Sequence, residues 1–253
     1  MKTVPRRDFN EGLLKSLFTF SLVETLADHR ALATPIQPIA DRWVAEVEEI
    51  SRGMKEQRVK QREWQQKIED FFAHVELKDF LHGIDFERLS KTMQFPDDRE
   101  AVTQVTPRRA GQPAELSYSV FVYGLSKGRA IVPHCHRNMT SLHMLIGGEL
   151  HGWHFDRIAD EPGHVIIKPT LDKQLALGER STTSDDKDNV HWFKATSETA
   201  FTFNIGVYEI NPAVKFSGRQ FYLDAAGGEK LRDGLLRVRH LKTQEAHKLY
   251  GKS

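Results

Sequence analysis

The stretch Val132–Asp156, VPHCHRNMTSLHMLIGGELHGWHFD, holds five histidines and the only cysteine of the chain, Cys135. Successive side chains of a β-strand point to opposite faces. His134 and His136 therefore project from one face, roughly 6.6 Å apart along the strand, and Cys135 projects from the other. Because imidazole is a good ligand for Fe, Zn, Cu and Ni, the stretch predicts a strand with two metal ligands. We expect Cys135 to pack as a small hydrophobic residue.

A stable metal centre needs further ligands from elsewhere in the chain. His191, in DNVHWFKA at the start of a later strand, is the candidate for the third ligand. His143 shares strand parity with Ser141, so it is either a pocket residue or a hydrogen-bonded core histidine. His151 and His154 have opposite parity, and we expect them to be ordinary strand residues.

Residue composition and the spacing of apolar residues divide the chain into segments. Upstream of the histidines, helix formers predominate, and apolar residues such as Trp43, Val47 and Ile50 recur at helical spacing. From about Ala101, short alternating or apolar runs separated by Gly, Pro, Asp and Ser predict an antiparallel sandwich or barrel. The predicted segments are an N-terminal segment 1–33, a helical region 34–100, a β domain 101–225 and a C-terminal strand or tail 226–253.

Composition excludes several classes of protein. A net charge of +1 over 253 residues gives no basic excess for neutralising nucleic-acid phosphates. One cysteine excludes an internal disulfide. No apolar run is long enough to cross a bilayer, so we expect no stable membrane insertion.

The N-terminal segment has two interpretations. Arg6 and Arg7, followed by a moderately apolar stretch and Ala31-Leu32-Ala33, are similar to a twin-arginine export signal with its cleavage site. The same stretch also fits an amphipathic helix with its apolar face formed by Leu14, Leu17, Phe18 and Leu22. The first interpretation predicts export to the periplasm, and the second predicts a cytoplasmic protein.

The order of the histidines carries a family resemblance. H-x-H, a strand ending in Gly148 and a distant histidine resemble the cupin pattern, which implies a double-stranded β-helix (jelly-roll) barrel preceded here by the helical region. The usual cupin glutamate, seven residues before the glycine, is replaced by Ser141. Three histidines without a carboxylate resemble the thiol dioxygenases, in particular the plant cysteine oxidase and cysteamine dioxygenase branch. The likeness covers roughly residues 100–225 and rests on SYSVFVYGLSKGRAIVPHCH, HCHRNMTSLHMLIGGELHGWHFD, DNVHWFKA and GVYEINPAVKFSGRQFYLD.

The resemblance implies a ligand set and a reaction. His134, His136 and His191 would bind Fe(II), and a small aminothiol or a peptide N-terminal cysteine would react with O₂ to give a sulfinic acid. A three-histidine site with open positions also suits Zn²⁺, Mn or Ni, so another metal chemistry stays open. A cupin that binds a ligand without catalysis stays open as well, because fold does not assign function.

The later strand departs from that branch. The branch has an acidic residue where a gapless count from His191 reaches Phe203, with Asn204 beside it, and its tyrosine falls at Tyr208 only after a shift of one residue. We expect Phe203, Asn204 and Tyr208 to line the pocket with Ser141 and His143. The small-molecule cysteine branch holds the substrate carboxylate with an arginine, for which the sequence offers Arg129.

Overall fold

The computed structural model describes residues 39–109, 112–113 and 115–251. The two interpretations of the N-terminal segment 1–33 therefore lie outside the described residues. The helices are α1 (Ile39–Lys55), α2 (Gln61–Ala73), α3 (Leu77–Gly83), α4 (Phe86–Thr92) and α5 (Thr243–Tyr250). No helix in the described ranges is long and apolar enough to span a membrane.

The first four helices bury the apolar residues that recur at helical spacing. Trp43 and Val47 of α1 and Trp64 and Ile68 of α2 are all almost fully buried in one core cluster. The indole nitrogen of Trp64 donates a hydrogen bond of 3.3 Å to Ser51 Oγ, which satisfies a buried polar atom. Burial of these one-sided apolar stripes, more than intrinsic propensity, stabilises the helices.

The rest of the chain is mainly β. The longer strands are β1 (Ala101–Val105), β4 (Ser119–Ser126), β5 (Ala130–Arg137), β6 (Met139–Gly147), β7 (Leu150–Glu161), β8 (His164–Leu175), β9 (Arg180–Thr183), β10 (Val190–Ala195), β11 (Thr199–Tyr208), β12 (Ser217–Leu223) and β14 (Leu236–Leu241). The two-residue strands are β2 (Arg108–Arg109), β3 (Gln112–Pro113) and β13 (Glu229–Lys230).

Two antiparallel sheets contain all but β2 and β3. The first sheet has the order β1-β4-β11-β6-β9, and the second has the order β12-β5-β10-β7-β8-β14-β13, with a further pairing of β12 and β14. This arrangement confirms the prediction of a mainly β protein with antiparallel strands. The segment after residue 225 adds β13, β14 and the helix α5.

The helices cover one face of the first sheet. Phe203 of β11 is fully buried, and its ring lies 4.7 Å from that of Phe80 and 5.7 Å from that of Trp43, centroid to centroid. Alternation then directs its neighbour Asn204 to the opposite face, towards the second sheet. The strand β11 therefore separates an apolar core from a polar interior.

A bulge sets the direction of the histidines on β5. His191 pairs with His134, but Phe193 pairs with Ile131, so Val132 and Pro133 together stand opposite one residue of β10. Proline has no N–H to give to the ladder, which makes it compatible with such an irregularity. Beyond the bulge His134 and His136 line the cavity between the sheets, whereas Cys135 belongs to a separate apolar cluster.

Candidate metal centre

Three histidines converge on the inner face of the second sheet. His134 and His136 lie on β5, and His191 lies on the neighbouring strand β10 directly opposite His134. Their ring centroids are 4.5 to 5.0 Å apart. One nitrogen from each ring lies within 4.8 Å of the others, and all three side chains are buried. This group can hold a metal ion, and it contains no carboxylate.

Hydrogen bonds fix the orientation of two of these rings. Nδ1 of His134 donates to the carbonyl oxygen of Val132 at 2.8 Å, and Nδ1 of His136 donates to that of Gly218. Each bond assigns the proton to Nδ1, so the lone pair of Nε2 is free to bind a metal ion. Nε2 of His136 and Nδ1 of His191 are buried and have no hydrogen-bond partner among the described residues. Buried imidazole nitrogens without partners are costly unless they bind an ion, so the donor set fits a metal.

Burial also keeps these imidazoles neutral. Loss of hydration is the main cause that lowers the pKa of His136 to about 4, and it lowers the pKa values of His134 and His191 well below the ordinary value. A neutral imidazole is the form that binds a metal. At neutral pH the site is therefore ready for a cation without first releasing protons.

The wall opposite these ligands comes from the first sheet. Ser141 and His143 of β6 and Asn204 and Tyr208 of β11 line the same cavity as the three histidines. Asn204 pairs with His143 across the strands, and its Nδ2 donates to Nε2 of His143 at 3.0 Å. Four of the five predicted pocket residues thus lie together around a cavity of about 180 Å³. Phe203 is the fifth, and it packs in the helix-covered core instead.

Serine occupies the position at which the cupin motif has glutamate. Ser141 Oγ lies 2.9 Å from Thr183 Oγ1, and both side chains are buried. A hydroxyl that is already paired with another hydroxyl is a weak ligand for a divalent ion. The structure is therefore consistent with a centre of three imidazoles.

Arg219 is a charged pocket residue that was not singled out from the sequence. Arg219 of β12 lines the cavity, next to Gly218, whose carbonyl orients His136. Arg129, the arginine that the sequence offered, lies elsewhere: its guanidinium donates to the carbonyl oxygen of Gly251 at 2.6 Å. The signal for Arg219 was its place in the stretch FSGRQFYLD, but nothing in that stretch shows which way the side chain points.

The two remaining histidines of the stretch, His151 and His154, lie in different surroundings. His154 of β7 pairs with His191 on its other side, is buried and lies 2.5 Å from Ser181 Oγ through Nε2. His154 therefore packs beside the candidate ligand His191 and is not one of the three candidate ligands. His151 lies on the outer face, stacked on Trp153 and 2.7 Å from a carboxylate oxygen of Asp172.

Cys135 faces away from the centre. Its side chain is fully buried in the apolar cluster beyond β5, and burial raises the pKa of its thiol to about 11. A protonated, buried thiol is neither a metal ligand nor a nucleophile. Its placement agrees with the alternation predicted around His134 and His136.

No known family model and no curated protein matches the chain. Solved structures similar to it include the 11S globulin procruciferin from Brassica napus, with a TM-score of 0.34 and 12% identity over 49% of this chain and 28% of that chain. A cupin superfamily protein from Desulfitobacterium hafniense has a TM-score of 0.31 and 8% identity over 47% and 87% of the two chains. A conserved protein with a double-stranded β-helix domain from Klebsiella pneumoniae has a TM-score of 0.35 and 13% identity over 52% and 95%. The chain thus spans less than a third of the length of procruciferin, and its structural neighbours include cupin and double-stranded β-helix proteins.

Proposed function

We propose that this chain is a metal-dependent thiol dioxygenase built on a cupin barrel, with Fe(II) held by His134, His136 and His191. The observation that carries the proposal is the donor set, three buried neutral imidazoles with no carboxylate in the group, of which His136 and His191 each have a buried nitrogen without a hydrogen-bond partner among the described residues. The two sheets would form the double-stranded β-helix, with the histidines on the inner face of one sheet.

The composition of the donor set favours this chemistry over a site that contains a carboxylate. Three neutral ligands leave a divalent ion its full charge, and a thiolate is an anion that can neutralise part of it. When bound, Fe(II) would supply open positions for a thiolate and O₂ and the redox capacity to join them. The overall reaction adds both atoms of one O₂ molecule to one thiol, R–SH + O₂ → R–SO₂H, and requires no further reductant.

The residues of the chain would prepare the site for this reaction. Carbonyl oxygens of Val132 and Gly218 hold two ligand rings in one tautomer and one orientation. The opposite wall, with His143 and Asn204 joined by a hydrogen bond, limits the space beside the ligands. A cavity of about 180 Å³ is small, so it suits a small thiol or the end of a chain.

The partners that we propose are O₂ and a thiol. The resemblance implies two kinds of thiol, an aminothiol and a peptide N-terminal cysteine, and both carry an ammonium group. Zinc hydrolysis or ligand binding without turnover would use the same three histidines but would consume no O₂.

The experiment is O₂ consumption by anaerobically reconstituted protein given cysteamine, cysteine, 3-mercaptopropionate or a peptide that begins with cysteine. We expect uptake with at least one thiol and one sulfinic acid per O₂, identified by mass spectrometry. His191→Ala should abolish uptake, whereas His151→Ala, which alters a histidine outside the cavity, should retain it. Full metal loading without uptake for any of these thiols would contradict the proposal.

A further inference from the structure

A fourth histidine lines the cavity of the candidate metal centre. His143 of β6 is buried, and its ring centroid lies 5.6 Å from that of His191. Imidazoles that bind one tetrahedral ion through nitrogens about 2.1 Å from it have ring centroids about 5 Å apart. His143 is not one of the three histidines whose nitrogens lie within 4.8 Å of one another. It is nevertheless close enough to His191 that a rotation of its side chain would bring it into competition for the same ion.

The hydrogen bonds of Asn204 fix the tautomer of His143. The side-chain nitrogen of Asn204 donates to the carbonyl oxygen of Leu142 at 2.9 Å, which identifies the NH₂ end of the amide because a carbonyl oxygen can only accept. The same nitrogen lies 3.0 Å from Nε2 of His143. Nε2 therefore accepts, and the proton of the ring is on Nδ1, which donates to Thr202 Oγ1 at 3.4 Å.

This tautomer makes His143 the same kind of donor as two of the candidate ligands. His134 and His136 also carry the proton on Nδ1. The difference lies in the partner of Nε2: that of His136 has no hydrogen-bond partner among the described residues, whereas that of His143 receives an N–H from Asn204. One lone pair cannot accept a hydrogen bond and bind a metal ion at the same time. Asn204 thus occupies the atom through which His143 would bind the ion.

The two strands hold this contact in place. Asn204 of β11 stands directly opposite His143 of β6, and both side chains are buried. The neighbouring Phe203 packs in the helix-covered core, so alternation directs Asn204 into the cavity. The ring of His143 packs 5.0 Å from that of Phe193, centroid to centroid. Because the pair is buried, breaking the bond would leave a donor and an acceptor without partners.

We propose that Asn204 limits the protein ligands of the centre to three by holding the lone pair of His143 away from the metal. The inference rests on the three-histidine centre of the proposed function and not on the reaction with O₂. With His143 withheld, the side of the centre that faces the first sheet stays open for a ligand from solution. Asn204 is a positioning residue, because it acts through His143 and does not bind the ion itself.

The tautomer of His143 can be measured without any metal. Nitrogen NMR shifts of the imidazoles in the full-length, metal-free protein distinguish a protonated nitrogen from one that accepts, and His143→Ala identifies the signals. We expect the proton of His143 on Nδ1 in wild-type protein. A proton on Nε2 would overturn the inference, because Nε2 would then donate. This measurement needs no variant of Asn204, so it tests the inference even if such a variant fails to fold.

Removal of the amide tests the number of ligands. Asn204→Ala takes the donor from Nε2 of His143 and leaves space for the ring to turn towards the ion. X-ray absorption spectroscopy on Zn²⁺-loaded protein should count three imidazole ligands in wild type and four in Asn204→Ala. The affinity for Zn²⁺, measured by competition with a chromogenic chelator, should rise at least about tenfold. Three imidazoles with unchanged affinity in folded Asn204→Ala, or four imidazoles in wild type, would overturn the inference.

A double variant separates the effect of His143 from that of a larger cavity. Asn204→Ala/His143→Ala lacks the fourth imidazole and should return to three ligands and to the wild-type affinity for Zn²⁺ within about twofold. A gain in affinity that persisted without His143 would refute the inference. Asn211→Ala changes an exposed asparagine outside the cavity and serves as the matched control, which should bind Zn²⁺ as wild type does. Circular dichroism identifies any variant that fails to fold.

The same proteins distinguish this inference from the proposed reaction. A fourth imidazole that appears only in Asn204→Ala would support the inference even if no thiol consumed O₂. A wild-type protein that oxidised a thiol, with no change in ligands or Zn²⁺ affinity in folded Asn204→Ala, would support the dioxygenase and refute the role of Asn204.

Discussion

Replacement of Phe203 by alanine is expected to destabilise the protein without disturbing the metal centre. The ring of Phe203 is fully buried and makes edge-on contacts with Phe80 and Trp43 and a tilted contact with Phe72 at 6.1 Å between centroids. Truncation of a buried phenylalanine lowers the free energy of unfolding by about 3–5 kcal/mol. At roughly 2–4 °C per kcal/mol for a chain of this size, the melting temperature should fall by roughly 6–20 °C.

The matched control is Phe203→Leu. Leucine keeps most of the apolar volume but loses the edge-on ring contacts, so the expected loss is about 1–2 kcal/mol. Guanidinium unfolding followed by circular dichroism measures the stability, and elemental analysis of folded protein measures the bound metal. We expect full metal content in both variants at a temperature where they are folded. A folded Phe203→Ala variant that lost its metal, or one as stable as wild type, would refute the placement of Phe203 in the helix-covered core.

Three further predictions concern other parts of the chain. Gly148 has a φ of +72°, and a Cβ there would lie 2.0 Å from the carbonyl oxygen of Thr199, so Gly148→Ala should lower the free energy of unfolding by more than about 1–2 kcal/mol, measured by urea unfolding. The thiol of Cys135 is fully buried and should react with a chromogenic disulfide only after denaturation; rapid reaction of native protein would disprove its burial. Burial lowers the pKa values of His143 and His154 to about 3 and about 4, while unfolded histidine titrates near 6.5. In metal-free protein, the contribution of these two histidines to stability should therefore be fully present above about pH 6.5 and should be lost as the pH falls towards 4. A melting temperature that stays constant over that window would contradict their burial as neutral groups.

The sequence predicted those features that depend on local periodicity. Alternation along β5 and β6 placed His134 and His136 on one face and His143 on the same face as Ser141, and the structure has all four around one cavity. Helical spacing likewise predicted the buried face of α1. A period of two or of 3.6 residues depends only on residues that are close in sequence, so it can be recognised without knowing what the element packs against.

Features that depend on long-range register were not predicted. On β11 either Phe203 or Asn204 had to face the cavity, and the choice depends on which face of the first sheet the helices cover. Arg219 lies in a strand whose register with β5 shifts between Ser217 and Phe221, so alternation cannot be counted through it. Arg129 had a basic side chain near the start of β5, but its partner at Gly251 is contributed by the far end of the chain.

The most direct test of the central claim is the metal stoichiometry of three purified proteins after anaerobic loading with Fe(II) and dialysis. Wild type and Cys135→Ser should each retain about one equivalent, because the cysteine faces away from the cavity. His134→Ala should retain none while remaining folded, because it removes one of three ligands. One equivalent of iron in folded His134→Ala, or loss of iron in Cys135→Ser alone, would show that the metal is held elsewhere and would contradict the three-histidine centre.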